Sequence, residues 1–229
     1  ERMMSRTLAY VLKHKNFKLL ASGRTDAKVS ANDAYVELFL DDEPLDIDLF
    51  FPLLNENLPQ DIRALKIDEV DQDFNVIEAP QWKEYNYLFS HGQKNHPFAA
   101  PFMLGTTKKL NIELMQEAAA LFNGTHDFRN YTYKPKPETQ TVVTILISEV
   151  VINTFLTANF FPTESFLFRV KGKGFKRHQI RLMMGSLLDV GEGKVNIDFI
   201  KKTLQNDEVI KLERIAPASG LLLKEVQLG

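Results

Sequence analysis

Three short segments of the chain carry residue types that could do chemistry, and the first is Gly23–Ala27. It places Asp26 two residues after Arg24 in a stretch rich in turn-forming residues, between two predicted strands. Loops on rigid scaffolds often present reactive groups, and a carboxylate held there can act as a nucleophile or as an acid or base. An ordinary Asx turn that joins the strands is the other interpretation. The segment by itself leaves both open.

The second segment is Lys83–Tyr87, which carries a pair of tyrosines. Because successive side chains of a strand point to opposite faces, Tyr85 and Tyr87 share one face. Packing in the core is the default interpretation of such a pair. If the face borders a cleft, a tyrosine there could instead stack on a nucleobase.

The third segment is a basic run. From Arg169 to Arg181 the chain has six basic residues, one histidine and no acid, although its formal net charge is −2. Residues 37–78 hold thirteen acidic residues and two basic ones. Polyanions respond to a local strip rather than to the total charge, and a solvated cationic face is the other interpretation. Cations at the start of the helix predicted over 175–190 oppose its dipole, so an anionic partner would be stabilising there.

Other chemistries are excluded by composition and motif. The chain has 229 residues and no cysteine, which rules out disulfides, thiolate catalysis and cysteine-ligated metals. Its five histidines show no ligand spacing, so we expect no metal site. It lacks a P-loop, a dinucleotide fingerprint and a G-x-S-x-G elbow. No apolar run could span a bilayer and the N-terminus lacks a signal-peptide core, so we expect a cytoplasmic protein with no membrane partner.

The elements that must position these segments follow from periodicity and capping residues. Helices are predicted over residues 2–14, 48–57, 111–122, 175–190 and 196–204, and strands over 17–21, 34–40, 82–91, 141–151, 165–170 and 221–228, with a further extended segment at 62–70. Asn111 and Gly124 are predicted to cap one helix at its two ends, and Asp41–Pro44 to stop a strand. Strands at hairpin-like spacing among helices favour an α+β fold with antiparallel sheets over a parallel α/β fold.

Taken as a set, the three segments resemble the tRNA pseudouridine synthase A (TruA) family. Its first motif is R-T-D-A-G-V-H-A, and residues 24–31 read R-T-D-A-K-V-S-A. Its Y-x-Y motif is matched by Tyr85 and Tyr87, and its F-x-x-x-x-x-R-x-x-x-G motif by Phe175, Arg181 and Gly185. A G-x-G turn at 191–193 and similar stretches at 54–62, 122–128 and 216–222 follow the family's order over nearly the whole chain.

The resemblance implies two ferredoxin-like halves with antiparallel sheets that flank a basic RNA-binding cleft, in a homodimer that binds tRNA. The first half, residues 1–79, would carry the aspartate loop. The second half, residues 80–229, would carry the tyrosine and arginine motifs. The resemblance also implies that the protein needs neither a metal nor an organic cofactor.

By the same resemblance, Asp26 is the catalytic aspartate, which acts at a flipped uridine as its glycosidic bond breaks. Tyr85 would stack on the base and help to remove the C5 proton, and Arg181 would pair with Asp26. Arg24 would contact the RNA beside the vacated stack. The remaining basic residues of the third segment are expected to bind the RNA backbone: Lys171, Lys173, Lys176 and Arg177.

Two features depart from the family pattern. Lys28 and Ser30 replace the glycine and the histidine of the first motif. The strand and the D-G-x-x-x-x-G-x-Q segment that precede the first helix in the family have no counterpart here, which would leave the first sheet short.

Three functions therefore compete. The leading one is an enzyme that isomerises uridine to pseudouridine in the tRNA anticodon stem-loop, as the retained Asp26, Tyr85 and Arg181 indicate. A non-catalytic RNA-binding relative of the same fold would explain Lys28 and Ser30. A protein-interaction module of α+β class would explain the acidic stretch, but not the co-occurrence of the three site residues.

Overall fold

The computed structural model describes residues 2–40, 45–205 and 208–229. The strand stop predicted at Asp41–Pro44 lies outside these residues. The chain divides into two compact units, the first made of Glu1–Arg24 and Ala34–Ala79 and the second of Thr25–Asp33 and Pro80–Gly229. The short segment Thr25–Asp33 thus packs with residues that follow it much later in the chain.

The regular elements mix helices with strands, which confirms the α+β class. The helices are α1 (Arg2–Leu12), α2 (Ile47–Asn57), α3 (Ile112–Ala120), α4 (Gln179–Gly191) and α5 (Ile197–Gln205). The strands are β1 (Phe17–Ala21), β2 (Ser30–Ala31), β3 (Val36–Leu40), β4 (Pro80–His91), β5 (Leu104–Thr106), β6 (Gly124–Asp127), β7 (Val142–Ile152), β8 (Phe166–Gly172) and β9 (Leu221–Leu228). In the described residues, no helix is long and apolar enough to cross a membrane.

The first unit packs α1 and α2 around a small apolar core, with β1 and β3 paired antiparallel. Leu8 and Val11 of α1 meet Phe50 and Leu54 of α2 in that core. Residues 62–70, all of them described, form no strand; Ile62, Ala64 and Ile67 pack against this core, whereas Leu65 and Val70 are exposed.

The second unit is built on a sheet whose described strands run in the order β2-β9-β4-β8-β7-β6, with β5 pairing to the end of β4. Its neighbours pair antiparallel, except that β2 is parallel to β9 and β5 is parallel to β4. One face of β4 presents Tyr85, Tyr87 and Phe89 to a large core shared with α3, α4 and α5. The opposite face presents Leu88 to a smaller core.

Two helix boundaries of the second unit differ from the prediction. Helix α4 begins at Gln179 and not at Phe175, because His178 just before it has a left-handed backbone with φ of 58°. Asn111 caps α3 as predicted, its side chain accepting a hydrogen bond from Leu114 N. Gly124 is not the C-cap that the sequence suggested: α3 is closed at Leu121, and Gly124 starts β6 with φ of 98°.

Candidate active site

Asp26 lies in a loop that is tied to the edge of the second unit's sheet. The loop closes on itself through a hydrogen bond from Val29 N to the carbonyl oxygen of Asp26, at 3.1 Å. It then enters β2, where Ser30 pairs with Leu222 of β9. This bond and the pairing of β2 give the loop a defined position, while 32% of the Asp26 side chain stays exposed.

Arg181, in the first turn of α4, makes the closest contact with that carboxylate. Its Nη1 lies 2.5 Å from Oδ2 of Asp26, and its Nε donates to the carbonyl oxygen of Ala216 at 2.8 Å. The guanidinium is a planar fork, so two acceptors on different edges fix its orientation. The structure therefore brings together Asp26 and Arg181, the two residues that the resemblance led us to expect as a pair.

His178 is a further neighbour of Asp26 that the sequence did not single out. Its Nε2 lies 3.2 Å from Oδ1 of Asp26, so the two carboxylate oxygens have different partners. Burial lowers the pKa of His178, and the nearby charges of Arg181 and Arg177 lower it too, whereas Asp26 opposes them. The spacing to Arg181 was the available signal, because residues three apart at a helix start share a face.

Tyr85 lies on β4 between Val170 of β8 and Leu223 of β9. Leu223 also pairs with Ala31 of β2, so one row across the sheet links Tyr85 to the strand that follows the Asp26 loop. Its ring meets Phe175 edge to face, with centroids 5.4 Å apart. Burial raises the pKa of Tyr85 to about 12, so its hydroxyl is protonated at neutral pH.

Tyr87 has a different environment although it shares the face of Tyr85. It is fully buried, and its hydroxyl donates to the carbonyl oxygen of Pro217 at 2.7 Å. Gly220 packs directly on its ring, where a Cβ would overlap with ring carbons. Tyr87 therefore holds the segment that carries Ala216, and Tyr85 alone of the pair keeps a hydroxyl without a hydrogen-bond partner among the described residues.

The segment Arg214–Ala216, which contacts Arg181, is also held by ion pairs. Arg214 Nη1 donates to Asp189 at 3.0 Å and to Glu192 at 2.8 Å. The backbone of the same segment pairs with α4, since Ala216 N donates to the carbonyl oxygen of Arg181 at 3.0 Å. The acceptor for Arg181 Nε is thus part of a braced segment rather than of a free loop.

The predicted RNA-binding cations have unequal surroundings. Lys171 is engaged, because its Nζ lies 3.4 Å from the centre of the Trp82 ring. Lys176 is half-buried, and its backbone N–H donates to Gln179 Oε1 at 2.8 Å. Lys173 and Arg177 are exposed, but the guanidinium carbon of Arg177 lies 5.1 Å from the centre of the Tyr133 ring. Of these four side chains, that of Lys173 is the freest to reach an external anion.

Arg24 is exposed and belongs to the first unit, whereas Asp26 belongs to the second.

Across the residues that the structure describes, no three histidine or acidic side chains come close enough to hold a metal ion. What the site presents is a carboxylate bound by a cation and by an imidazole, with part of its surface open. Such a group can attack an electrophilic carbon or stabilise positive charge that develops beside it.

Comparison with known proteins identifies the family of the chain. A family model described as tRNA pseudouridine synthase matches residues 118–227. The tRNA pseudouridine synthase A of Pseudothermotoga lettingae is 33% identical over 226 residues, which cover 98% of this chain and 87% of the relative. The protein of that name from Thermodesulfovibrio yellowstonii is 28% identical over 218 residues, covering 93% of this chain and 84% of the relative. The chain therefore belongs to the tRNA pseudouridine synthase family, enzymes that isomerise uridine in tRNA to pseudouridine.

Proposed function

We propose that this protein isomerises uridine to pseudouridine in the anticodon stem-loop of tRNA, with Asp26 as the catalytic residue. The observation that carries the proposal is the state of the Asp26 carboxylate. Its two oxygens are bound by His178 and Arg181, yet 32% of the side chain is exposed. The exposed part leaves room for a substrate to reach a carboxylate whose two oxygens are already held in place.

The reaction rearranges the atoms of its substrate. The N1–C1′ bond of uridine breaks, a C5–C1′ bond forms, C5 loses a proton and N1 gains one. Asp26 supplies a nucleophile or a negative charge at the moment when the glycosidic bond breaks. Arg181 holds the carboxylate during this step through its contacts with Asp26 and Ala216.

Tyr85 is proposed as the platform for the extruded base. Taking a base out of a stem costs a few kcal/mol, which stacking on an aromatic ring offsets in part. Because the pKa of Tyr85 is raised to about 12, its hydroxyl is a hydrogen-bond donor in the free protein. Its help in removing the C5 proton remains a prediction.

The wider arrangement is proposed from family membership. It comprises two ferredoxin-like halves, a basic cleft that binds tRNA, a homodimer and a cytoplasmic location. Arg24, Lys171, Lys173, Lys176 and Arg177 are the cations proposed to contact the RNA. Arg24, Lys173 and Arg177 are exposed, which favours them among these candidates.

The test is tritium release from tRNA transcripts labelled at C5 of uridine. We expect release by the parent protein and none by Asp26→Asn, which removes the charge with little change in volume and leaves tRNA affinity intact. Asp198→Asn is the matched control, because Asp198 is an exposed residue of α5. We also expect cytidine in place of uridine to abolish release only when the changes lie in the anticodon stem-loop.

Each of three other results would contradict a different part of the proposal. Release by Asp26→Asn at the parental rate would show that Asp26 is not catalytic. Tight tRNA binding by the parent without any release would identify a non-catalytic relative. The absence of tRNA binding would leave the interaction module as the remaining function.

A further inference from the structure

We propose that His178 is a positioning residue that sets the plane of the Asp26 carboxylate, an inference that rests on the proposed catalytic role of Asp26. His178 Nε2 lies 3.2 Å from Oδ1, and Arg181 Nη1 lies 2.5 Å from Oδ2. One donor would leave the carboxylate able to turn about its own bond. Two donors, one on each oxygen, hold the whole group in one orientation.

The surroundings of the ring establish which nitrogen carries the proton. Nδ1 of His178 is buried and has no hydrogen-bond partner in the described part of the chain. A proton on Nδ1 would therefore be a buried donor without an acceptor, which is costly. The imidazole is accordingly neutral with its proton on Nε2, and Nε2 donates to Asp26. Its lowered pKa, caused by burial and by Arg181 and Arg177, agrees with this state.

The imidazole ring of His178 is also held by packing against a neighbouring ring. Tyr133 packs against it with ring centroids 4.6 Å apart. Tyr133 is itself fixed to the same turn, because its backbone N–H donates to the carbonyl oxygen of Arg177 at 3.0 Å. The backbone of His178, just before α4, is left-handed with φ of 58°. A non-glycine residue is uncommon in this region, which is often associated with function.

Two variants test the N–H donor and the aromatic ring of His178 separately. His178→Phe keeps a ring to pack on Tyr133 but has no donor. His178→Gln loses the ring but carries a side-chain amide N–H donor that reaches about as far as the histidine Nε2. The measurements are kcat on tRNA, the Kd for tRNA and the melting temperature of each variant.

If His178 positions Asp26, kcat of the Phe variant falls by about 10- to 100-fold, the size expected for a misplaced reacting group. Its Kd stays at the parental value. The Gln variant restores kcat most of the way to the parental value. A role in packing alone reverses this order, so Phe would then be the more active of the two.

Parental kcat in His178→Phe would overturn the proposal. A fall of kcat in both variants that follows their melting temperatures would overturn it too. If the Phe variant does not fold, His178→Gly replaces it, because glycine accepts the left-handed backbone and has no donor. Asp26→Asn is measured in parallel. A fully active Asp26→Asn would refute the proposed function, whereas an inactive Asp26→Asn beside a fully active Phe variant would refute only the role of His178.

Discussion

Gly185 of α4 packs directly on the carbonyl oxygen of Arg214, so closely that a Cβ at position 185 would overlap with that oxygen. The contact explains the glycine that ends the F-x-x-x-x-x-R-x-x-x-G motif. It lies one helical turn after Arg181 and brings the Arg214–Ala216 segment close enough for Ala216 to accept a hydrogen bond from Arg181 Nε. The motif thus encodes both the cation beside Asp26 and the space that the second acceptor of that cation requires.

Gly185→Ala should therefore harm both stability and turnover. Forcing a methyl group against backbone costs roughly 1–3 kcal/mol of the free energy of unfolding. Turnover should fall as well, because the displaced segment carries the acceptor of Arg181. Urea unfolding and tritium release measure the two effects. Gly174→Ala is the control for stability, since a Cβ at position 174 meets no atom within 4 Å. Equal stability of the two variants would contradict the close approach.

Two variants of Tyr85 should separate the effect of base stacking from the chemistry of the hydroxyl. Tyr85→Phe keeps the ring and its contact with Phe175 but removes the hydroxyl, whereas Tyr85→Leu removes the aromatic face as well. We expect Leu to weaken turnover strongly, and Phe to retain base stacking while losing any step that needs the hydroxyl. Tritium release and the melting temperature are the measurements. Parental turnover in both variants would show that Tyr85 is only a core residue.

Lys28, which replaces the family's glycine, has a backbone φ of 71°. The left-handed region costs a residue with a Cβ roughly 1–2 kcal/mol, which glycine avoids. Glycine also gives the unfolded chain more freedom, and this offsets part of the gain in stability. Lys28→Gly should therefore raise the free energy of unfolding by on the order of 0.5 kcal/mol, as urea unfolding would measure. Ala27→Gly is the control, because Ala27 itself has no positive φ and glycine should destabilise there. Destabilisation by Lys28→Gly would contradict this explanation.

The exposed cations should bind phosphates rather than read bases. Removing Lys173 and Arg177 together should lower the slope of log affinity against log salt by roughly one unit for each phosphate that is no longer neutralised. Binding of tRNA across a salt series measures this slope. Lys201→Ala/Lys202→Ala, two exposed residues of α5, is the matched double variant. If both double variants keep the parental slope, the strip is only a solvated face and the RNA lies elsewhere.

Glu192 should make stability depend on acid pH. Its burial raises the pKa, but hydrogen bonds from Lys108, Arg214 and Lys194 outweigh this effect and lower the pKa from 4.5 to about 2. Because the pKa of the folded state lies below that of the unfolded state, this stabilisation is complete above pH 4.5 and is lost as the pH falls from 4.5 towards 2.

Glu192→Gln should therefore be less stable than the parent at neutral pH, by on the order of 3 kcal/mol. The difference should shrink as the pH falls from 4.5 towards 2. Urea unfolding at several pH values measures it. Asp198→Asn is the control, because the exposed pair that Asp198 forms with Lys201 should add little at any pH. A difference for Glu192→Gln that does not change with pH would contradict the charge network.

Local pattern was enough to predict several features of the protein. The strand predicted over 221–228 has the bounds of β9, a short apolar-rich run of the length that strands usually have. Asn111 was predicted to cap α3, because a cap depends only on the next three residues. The motifs likewise pointed to the family through residues that are close neighbours in the chain.

Other features were decided by contacts that no local pattern contains. Arg181 and Asp26 are 155 positions apart, and the Asp26 loop joins the second unit through the pairing of β2 with β9 and the contacts of Asp26 with Arg181 and His178. Tyr85 and Tyr87 share one face of a strand, yet only Tyr87 donates to the carbonyl oxygen of Pro217. The left-handed backbone of His178 and its contact with Asp26 depend on the same packing. Such relationships arise when separate elements are brought together, since the energy of each contact exists only once both partners are in place.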